Sequence, residues 1–108
     1  MNTGDIVLIP FPFAELTNVK VRPAVVISIT KDAYRDIVIC AISSVVPRVL
    51  SDNEFIIQPG GKNNLRVTSV VKVDRIVTLK RKNVITQLGK LDNNQIRIFK
   101  TKFKLLID

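Results

Sequence analysis

Histidine and tryptophan are missing from the 108 residues of this chain, and there is a single cysteine, Cys40. The lack of histidine excludes a histidine general base, a Ser–His–Asp triad and a histidine-ligated zinc site. One cysteine cannot form a disulfide within the chain, which is compatible with a reducing compartment. Without a histidine to activate its thiol, we interpret Cys40 as a buried strand residue rather than a nucleophile.

Long apolar runs are also missing. Apolar runs such as residues 24–27 have the length of a strand and fall far short of the roughly 20 residues that span a bilayer. The N-terminus lacks the basic and apolar regions of a signal peptide, so we expect a cytoplasmic protein without a membrane partner. No repeat or low-complexity stretch divides the chain, and its length predicts one domain over residues 1–108.

Neither a metal site nor a phosphate-binding loop is indicated. Asp52 and Glu54 would share one face of a strand, but no third ligand is near them in sequence, and we interpret both as solvated edge charges. Gly60-Gly61-Lys62 lacks the upstream glycine and the following Ser or Thr of a P-loop. We therefore expect no metal and no other cofactor.

Positive charge is in excess, with 17 Lys and Arg against 9 Asp and Glu and a formal net charge of +8. Residues 75–104 contain nine basic residues and one acid, whereas residues 1–74 carry a net charge of only +1. Such a surface attracts polyanions: nucleic acid, an acidic protein or an anionic membrane. A solvated basic face without a ligand is the alternative.

Most of the chain has the pattern of short strands. Segments rich in Val and Ile alternate with Pro, Gly, Asn and Asp, and residues 59–64 (PGGKNN) are the strongest turn signal. The pattern predicts strands over residues 5–9, 24–29, 37–43, 54–58, 66–73, 75–79 and 84–88.

The C-terminal residues have a helical period instead. Spacings of three and four predict a helix whose apolar stripe comprises Ile96, Phe99, Phe103 and Leu106. Asp92 and Gln95 have the spacing of a capping box, and Leu91 and Ile96 that of a hydrophobic staple. Six or seven short strands and one terminal helix predict a mainly β fold, built as a strongly curved antiparallel sheet or a small barrel.

The polar groups that remain are Arg, Lys, Ser and Thr side chains and backbone donors. Guanidinium groups bind phosphate oxygens bidentately and hydroxyls donate single hydrogen bonds, so this set suits a phosphodiester. Phe11, Phe13 and Tyr34 lie in or beside predicted loops, where aromatic rings can stack on bases. Phe11 and Phe13 alternate around Pro12, and packing of one of them into the core is the alternative.

Five segments spread over nearly the whole chain carry a family resemblance. They are residues 4–13 (GDIVLIPFPF), 21–28 (VRPAVVIS), 38–44 (VICAISS), 68–76 (TSVVKVDRI) and 87–91 (QLGKL). In this order and spacing they resemble the MazF/PemK family of bacterial toxins. The second segment is similar to the strand that bears the family's key arginine, and the third to the strand that ends in its active-site hydroxyl.

The resemblance implies a homodimer with an SH3-like barrel core, which cleaves single-stranded RNA without a metal and is neutralised by a cognate antitoxin. Carried over by position, Arg22 is the family's catalytic arginine and Ser43 its active-site hydroxyl, where the family often has Thr. We expect the RNA-binding surface to include Phe11, Phe13, Lys20, Ser44, Arg48, Lys80, Arg81 and Lys82.

Both catalytic candidates have a structural alternative. Arg22 precedes Pro23, which favours an extended backbone in the residue before it, and could be a solvated residue at the start of a strand. Ser43 could end its strand by hydrogen bonding to the backbone of a turn. The general base and the general acid stay open, because a guanidinium is effectively always protonated.

Two other functions fit the same scaffold. The related CcdB toxins share this fold and inhibit DNA gyrase. A catalytically silent module could bind RNA through the basic surface without cutting it, with a steep salt dependence. The arginine and hydroxyl positions favour the nuclease.

Overall fold

The computed structural model describes residues 1–107 apart from 12–19, and of Phe11 it describes the backbone only. Its strands are β1 (Asp5–Phe11), β2 (Lys20–Ile29), β3 (Ile37–Ser43), β4 (Glu54–Ile57), β5 (Ser69–Leu79) and β6 (Thr86–Lys90). Helix α1 (Asn93–Lys104) follows, and short 3₁₀ turns occupy Arg81–Asn83 and Leu105–Ile107. The strands form one antiparallel sheet in the order β4-β5-β3-β2-β1-β6.

Strands β2 and β3 are buried on both faces, which explains why their sequences are nearly continuous apolar runs. On one side, which we call the helix face, Val25 and Cys40 belong to a cluster that packs against α1. On the other side, the opposite face, Ala24 and Ile39 belong to a second cluster. That second cluster is closed by Val84 and the C-terminal part of β5, because the sheet curls around it.

Strand β5 is continuous, although its sequence predicts two strands over residues 66–73 and 75–79. Its partner in β3 changes from Ala41, opposite Lys72, to Cys40, opposite Ile76, so that three residues of β5 bulge at this point. A bulge interrupts the alternation of side chains and bends the strand without ending it. The sequence pattern therefore breaks where the strand does not.

Helix α1 begins as the sequence predicts. The Asp92 carboxylate accepts a hydrogen bond from the Gln95 N–H at 2.7 Å, and the Gln95 side chain accepts one from the Asp92 N–H at 3.0 Å. Phe99 is 2% exposed, and the other stripe residues pack around it: Ile96, Phe103 and Leu106. The prediction of a mainly β fold with a strongly curved antiparallel sheet and a C-terminal helix is confirmed.

Among the described residues, no helix combines the length and the apolar character needed to cross a membrane.

Candidate functional site

Arg22 is the third residue of β2 and does not stand at a loop–strand junction. The strand begins at Lys20, four residues before the predicted start, because β2 pairs with β1 as far as Phe11. Arg22 is half-buried and lies opposite Ile9, a residue of the cluster on the opposite face. Paired residues share a face of the sheet. The side chain of Arg22 therefore lies on the opposite face, as that of Ile9 does, and Arg22 itself lies within a paired strand.

Ser43 is the last residue of β3, and it is half-buried. Its Oγ accepts a hydrogen bond from the Val45 N–H at 3.1 Å, which is the turn bond of the structural alternative. A hydroxyl oxygen has two lone pairs and one proton to donate. This turn therefore leaves the O–H of Ser43 able to donate to a ligand, and the two roles are compatible.

The register of β2 and β3 brings these two residues together. Ala24 is paired with Ala41, and continuing this antiparallel register by two residues along each strand places Arg22 opposite Ser43. Side chains at such positions point to the same face, with Cβ atoms roughly 4.5–5.5 Å apart. Arg22 and Ser43 therefore lie on neighbouring strands, with both side chains on the opposite face of the sheet.

Two of the residues predicted to bind RNA are close to this pair along the chain. Lys20 and Ser44 each lie within two residues of a member of the pair, and both are exposed. Arg48 is exposed on the loop that leads from β3 to β4. The side chain of Phe11 and the whole of Phe13 lie outside the described part of the chain.

The basic segment of Lys80, Arg81 and Lys82 begins away from the pair. It follows Leu79, which is opposite Ile37 at the far end of β3 from Ser43. The length of β3 separates these two ends by about 20 Å along the strand. All three side chains are exposed, and the Lys80 ammonium lies 5.8 Å from the centre of the Tyr34 ring.

A charged pair that the sequence analysis did not single out lies on the opposite face as well. Lys72 is the partner of Ala41 in β3 and of Glu54 in β4. Its ammonium is 3.3 Å from the Glu54 carboxylate, and the two side chains are 28% and 11% exposed. The one available signal was a lysine inside the apolar run of residues 69–73; the partner and the face depend on strand register.

The interpretation of Glu54 as a solvated edge charge is wrong. One carboxylate oxygen accepts the Ser51 N–H at 2.8 Å, and the other faces Lys72. The hydrogen bond from Ser51 lowers the pKa of the Glu54 carboxyl, burial opposes this, and Lys72 lowers it further. Glu54 is therefore ionised at neutral pH. Asp52 precedes the strand and is exposed, as expected.

Cys40 is confirmed as a buried strand residue. It is fully buried, and burial raises the pKa of its thiol to about 12. The thiol stays protonated at neutral pH and cannot act as a nucleophile. Within the part of the chain that the structure describes, no three His, Cys, Asp or Glu side chains lie close enough together to hold a metal ion.

These residues assemble chemistry suited to a phosphodiester. A guanidinium, a hydroxyl and an ammonium lie on one sheet face, around the small side chain of Ala41. Each can donate hydrogen bonds to phosphate oxygens, and both cations are charge-assisted donors.

Comparison with known families matches residues 2–107 to the model of the PemK-like, MazF-like toxin of type II toxin–antitoxin systems. Among curated proteins, none matches the chain.

Solved structures of the same architecture include a Mycobacterium tuberculosis toxin, MazF-mt6, with 20% identity, 96% of each chain covered and a TM-score of 0.70. MazF from Deinococcus radiodurans has 19% identity over 99% of this chain and 96% of its own, with a TM-score of 0.69. An endoribonuclease from Mycobacterial species, solved with its cognate antitoxin, has 15% identity over 97% and 92%, with a TM-score of 0.69.

Proposed function

Because the chain belongs to the PemK-like, MazF-like toxins of type II toxin–antitoxin systems, we propose that it is an endoribonuclease that cleaves single-stranded RNA without a metal ion. The observation that carries this proposal is that Arg22 and Ser43 lie on one face of the sheet, on the neighbouring strands β2 and β3. The pair offers a charge-assisted bidentate donor and a neutral donor to the oxygens of one phosphate.

In the reaction, the 2′ oxygen of a nucleotide attacks its own 3′ phosphate and the bond to the next 5′ oxygen breaks. The products are a 2′,3′-cyclic phosphate and a free 5′-hydroxyl. Arg22 stabilises the extra negative charge on the crowded phosphate, and Ser43 orients a non-bridging oxygen. Because a guanidinium keeps its proton, the 2′-OH proton passes to a water or a phosphate oxygen, and the leaving 5′ oxygen takes a proton from water.

The same proposal covers the setting of the reaction. We propose that residues 1–108 act as one domain in the cytoplasm and that a cognate antitoxin neutralises the toxin. The similar Mycobacterial endoribonuclease, solved with its cognate antitoxin, supports such a partner. The net charge of +8 favours a partner with acidic segments.

The test is incubation of a long single-stranded RNA with the purified protein in the presence of EDTA. We expect fragments that end in 2′,3′-cyclic phosphates. Cleavage that requires added Mg²⁺ would contradict the metal-free mechanism, and RNA left intact under both conditions would contradict the nuclease. A DNA-supercoiling assay on the same preparation identifies a gyrase inhibitor of the CcdB type.

We expect the protein to be a homodimer in solution. The described surface exposes large apolar side chains, including Val45 at 76%, Val49 at 84% and Ile107 at 88%, and exposed apolar patches favour association. Light scattering at micromolar concentration should give twice the chain mass of 12.1 kDa. Replacing Val45 and Val49 together by Ser identifies whether this loop is part of the interface. A monomer of the unmutated protein at micromolar concentration would contradict the prediction.

The lysines of α1 are expected to attract RNA from a distance. The helix covers the helix face, so Lys100, Lys102 and Lys104 lie on the other side of the sheet from Arg22. Changing all three to Gln should weaken RNA binding. It should also reduce the slope of the logarithm of the binding constant against the logarithm of salt concentration by at most about two, because each single-strand phosphate contact contributes about 0.7. An unchanged slope, in a variant with an unaltered circular dichroism spectrum, would show that these lysines form only a solvated face.

A further inference from the structure

Lys72 and Glu54 form an ion pair on the sheet face that bears Arg22 and Ser43, and the cleavage described above does not use it. We propose that Lys72 binds a phosphate of the RNA held by Arg22 and Ser43, and that Glu54 is the residue that positions Lys72. This inference rests on the proposed function, because it assigns a further contact to the same RNA.

The strand register places the pair beside the arginine and the hydroxyl. Lys72 is directly opposite Ala41, which is two residues from Ser43 on the same face of β3. Diagonal neighbours of this kind lie about 7–8 Å apart, within reach of a long side chain. The Lys72 ammonium therefore lies one strand from the hydroxyl and two strands from Arg22.

The side chain between these groups is small. Ala41 has only a methyl group and is half-buried, and Lys72 and Ser43 are half-buried too. An ammonium has three protons to donate, and the Glu54 carboxylate is one partner. Among the described residues the ammonium has no further partner, so its other protons can be donated to the oxygens of a phosphate that lies over Ala41.

Glu54 is held more firmly than the lysine that it contacts. The carboxylate is fixed by the Ser51 N–H on one oxygen, while Glu54 itself donates its own N–H to the Ser51 carbonyl at 3.2 Å. Glu54 thus forms a rigid support, and the flexible lysine is the member that can be oriented. Holding a cation in advance reduces the ordering cost when the ligand binds.

A purely structural role is the competing explanation, because the pair also joins β4 to β5. The two explanations differ in what happens when the charges are exchanged. An ion pair that only joins the two strands can form whichever strand carries the positive charge. A phosphate contact needs the positive charge opposite Ala41.

The first experiment measures binding of a single-stranded RNA with 2′-fluoro groups, which lacks the attacking hydroxyl and cannot be cleaved. We expect Lys72→Met to weaken binding about tenfold, as for the loss of a charge-assisted hydrogen bond. Lys62→Met is the matched control, because Lys62 is an exposed lysine in the turn of residues 59–64 and its loss changes the net charge equally. Equal effects of the two substitutions would overturn the proposal.

The second experiment separates positioning from attraction. Glu54→Gln removes a negative charge, so attraction alone predicts tighter binding and faster cleavage, as expected for the control Asp36→Asn in the turn between β2 and β3. If Glu54 positions Lys72, Glu54→Gln binds the 2′-fluoro RNA more weakly than the unmutated protein although its net charge has risen, because Lys72 is no longer held in advance. Binding that becomes tighter, as in the control, would overturn the positioning role.

The double variant Lys72→Glu, Glu54→Lys keeps the net charge and the ion pair. A lysine at position 54 cannot accept the Ser51 N–H, so we expect chemical denaturation to show a folded but somewhat less stable protein, whose binding of the 2′-fluoro RNA stays weak. Recovery of full binding would show that the pair is only structural. The binding measurements do not require cleavage, so they test Lys72 even if the unmutated protein leaves RNA intact, a result that would contradict the nuclease alone.

Discussion

Arg22→Ala is expected to lose RNA cleavage by a factor of about 100 or more while the protein stays folded. The factor corresponds to removing one preorganised donor that stabilises a developing negative charge, which typically costs 10²–10³ in kcat. The fold should survive because Arg22 is half-buried and forms no part of either apolar cluster. The measurement is single-turnover cleavage of a long single-stranded RNA, with circular dichroism as the folding control.

Two conservative variants test the chemistry of the same pair. Arg22→Lys should recover little cleavage, because an ammonium cannot make the planar bidentate contact of a guanidinium. Ser43→Ala should lose roughly 2- to 13-fold, the equivalent of about 0.5–1.5 kcal/mol for one neutral hydrogen bond. Ser43→Thr should stay active because the hydroxyl is kept. Full cleavage by a well-folded Arg22→Ala protein would contradict the assignment of this site.

Gly89→Ala is expected to destabilise the protein by about 3 kcal/mol, the upper end of the usual cost of overpacking. A Cβ at this position would overlap the carbonyl oxygen of Lys62 and the backbone of Asn63. Backbone atoms cannot move aside cheaply here, because the Lys90 N–H donates to that same carbonyl oxygen at 3.0 Å. The Asn64 side chain also donates to the carbonyl of Leu88 at 2.7 Å.

A matched glycine separates this overlap from general backbone effects. Gly61 lies on the neighbouring turn with a φ of +55°, and a Cβ there would meet nothing within 4 Å. Gly61→Ala should therefore cost only the strain of a left-handed backbone, about 1–2 kcal/mol. Chemical denaturation of both variants gives the comparison. Equal losses of unfolding free energy would show that the overlap between Gly89 in β6 and the turn adds no cost of its own.

Much of the fold followed from local pattern. The capping box of Asp92 and Gln95 and the apolar stripe around Phe99 are confirmed because helix signals lie within a few residues of one another. The strand at residues 37–43 has the predicted bounds, and the turn at residues 59–64 joins two paired strands. The resemblance to the MazF/PemK family is confirmed by the match over residues 2–107.

Predictions failed where the answer depended on a partner strand. Two strands were predicted where β5 is one, because a bulge interrupts alternation while pairing with β3 continues on both sides of it. Glu54 has an ordinary edge-strand sequence context, and its burial follows from Ser51 and from Lys72, which lies in a different strand. Neither fact is contained in the neighbouring residues of the chain.

The sequence by itself determined the class of fold, the terminal helix, the family and the types of residue available for chemistry. Composition, period and spacing are properties of neighbours along one chain, and they are visible without a structure. The tertiary structure decided which of those residues meet. Register places Lys72 opposite Ala41 and, continued from the pair Ala24 and Ala41, aligns Arg22 with Ser43. A shift of one residue would turn each of these side chains to the other face of the sheet. Register in turn depends on the burial of both faces and on the bulge in β5, which are decided only when all six described strands pack together.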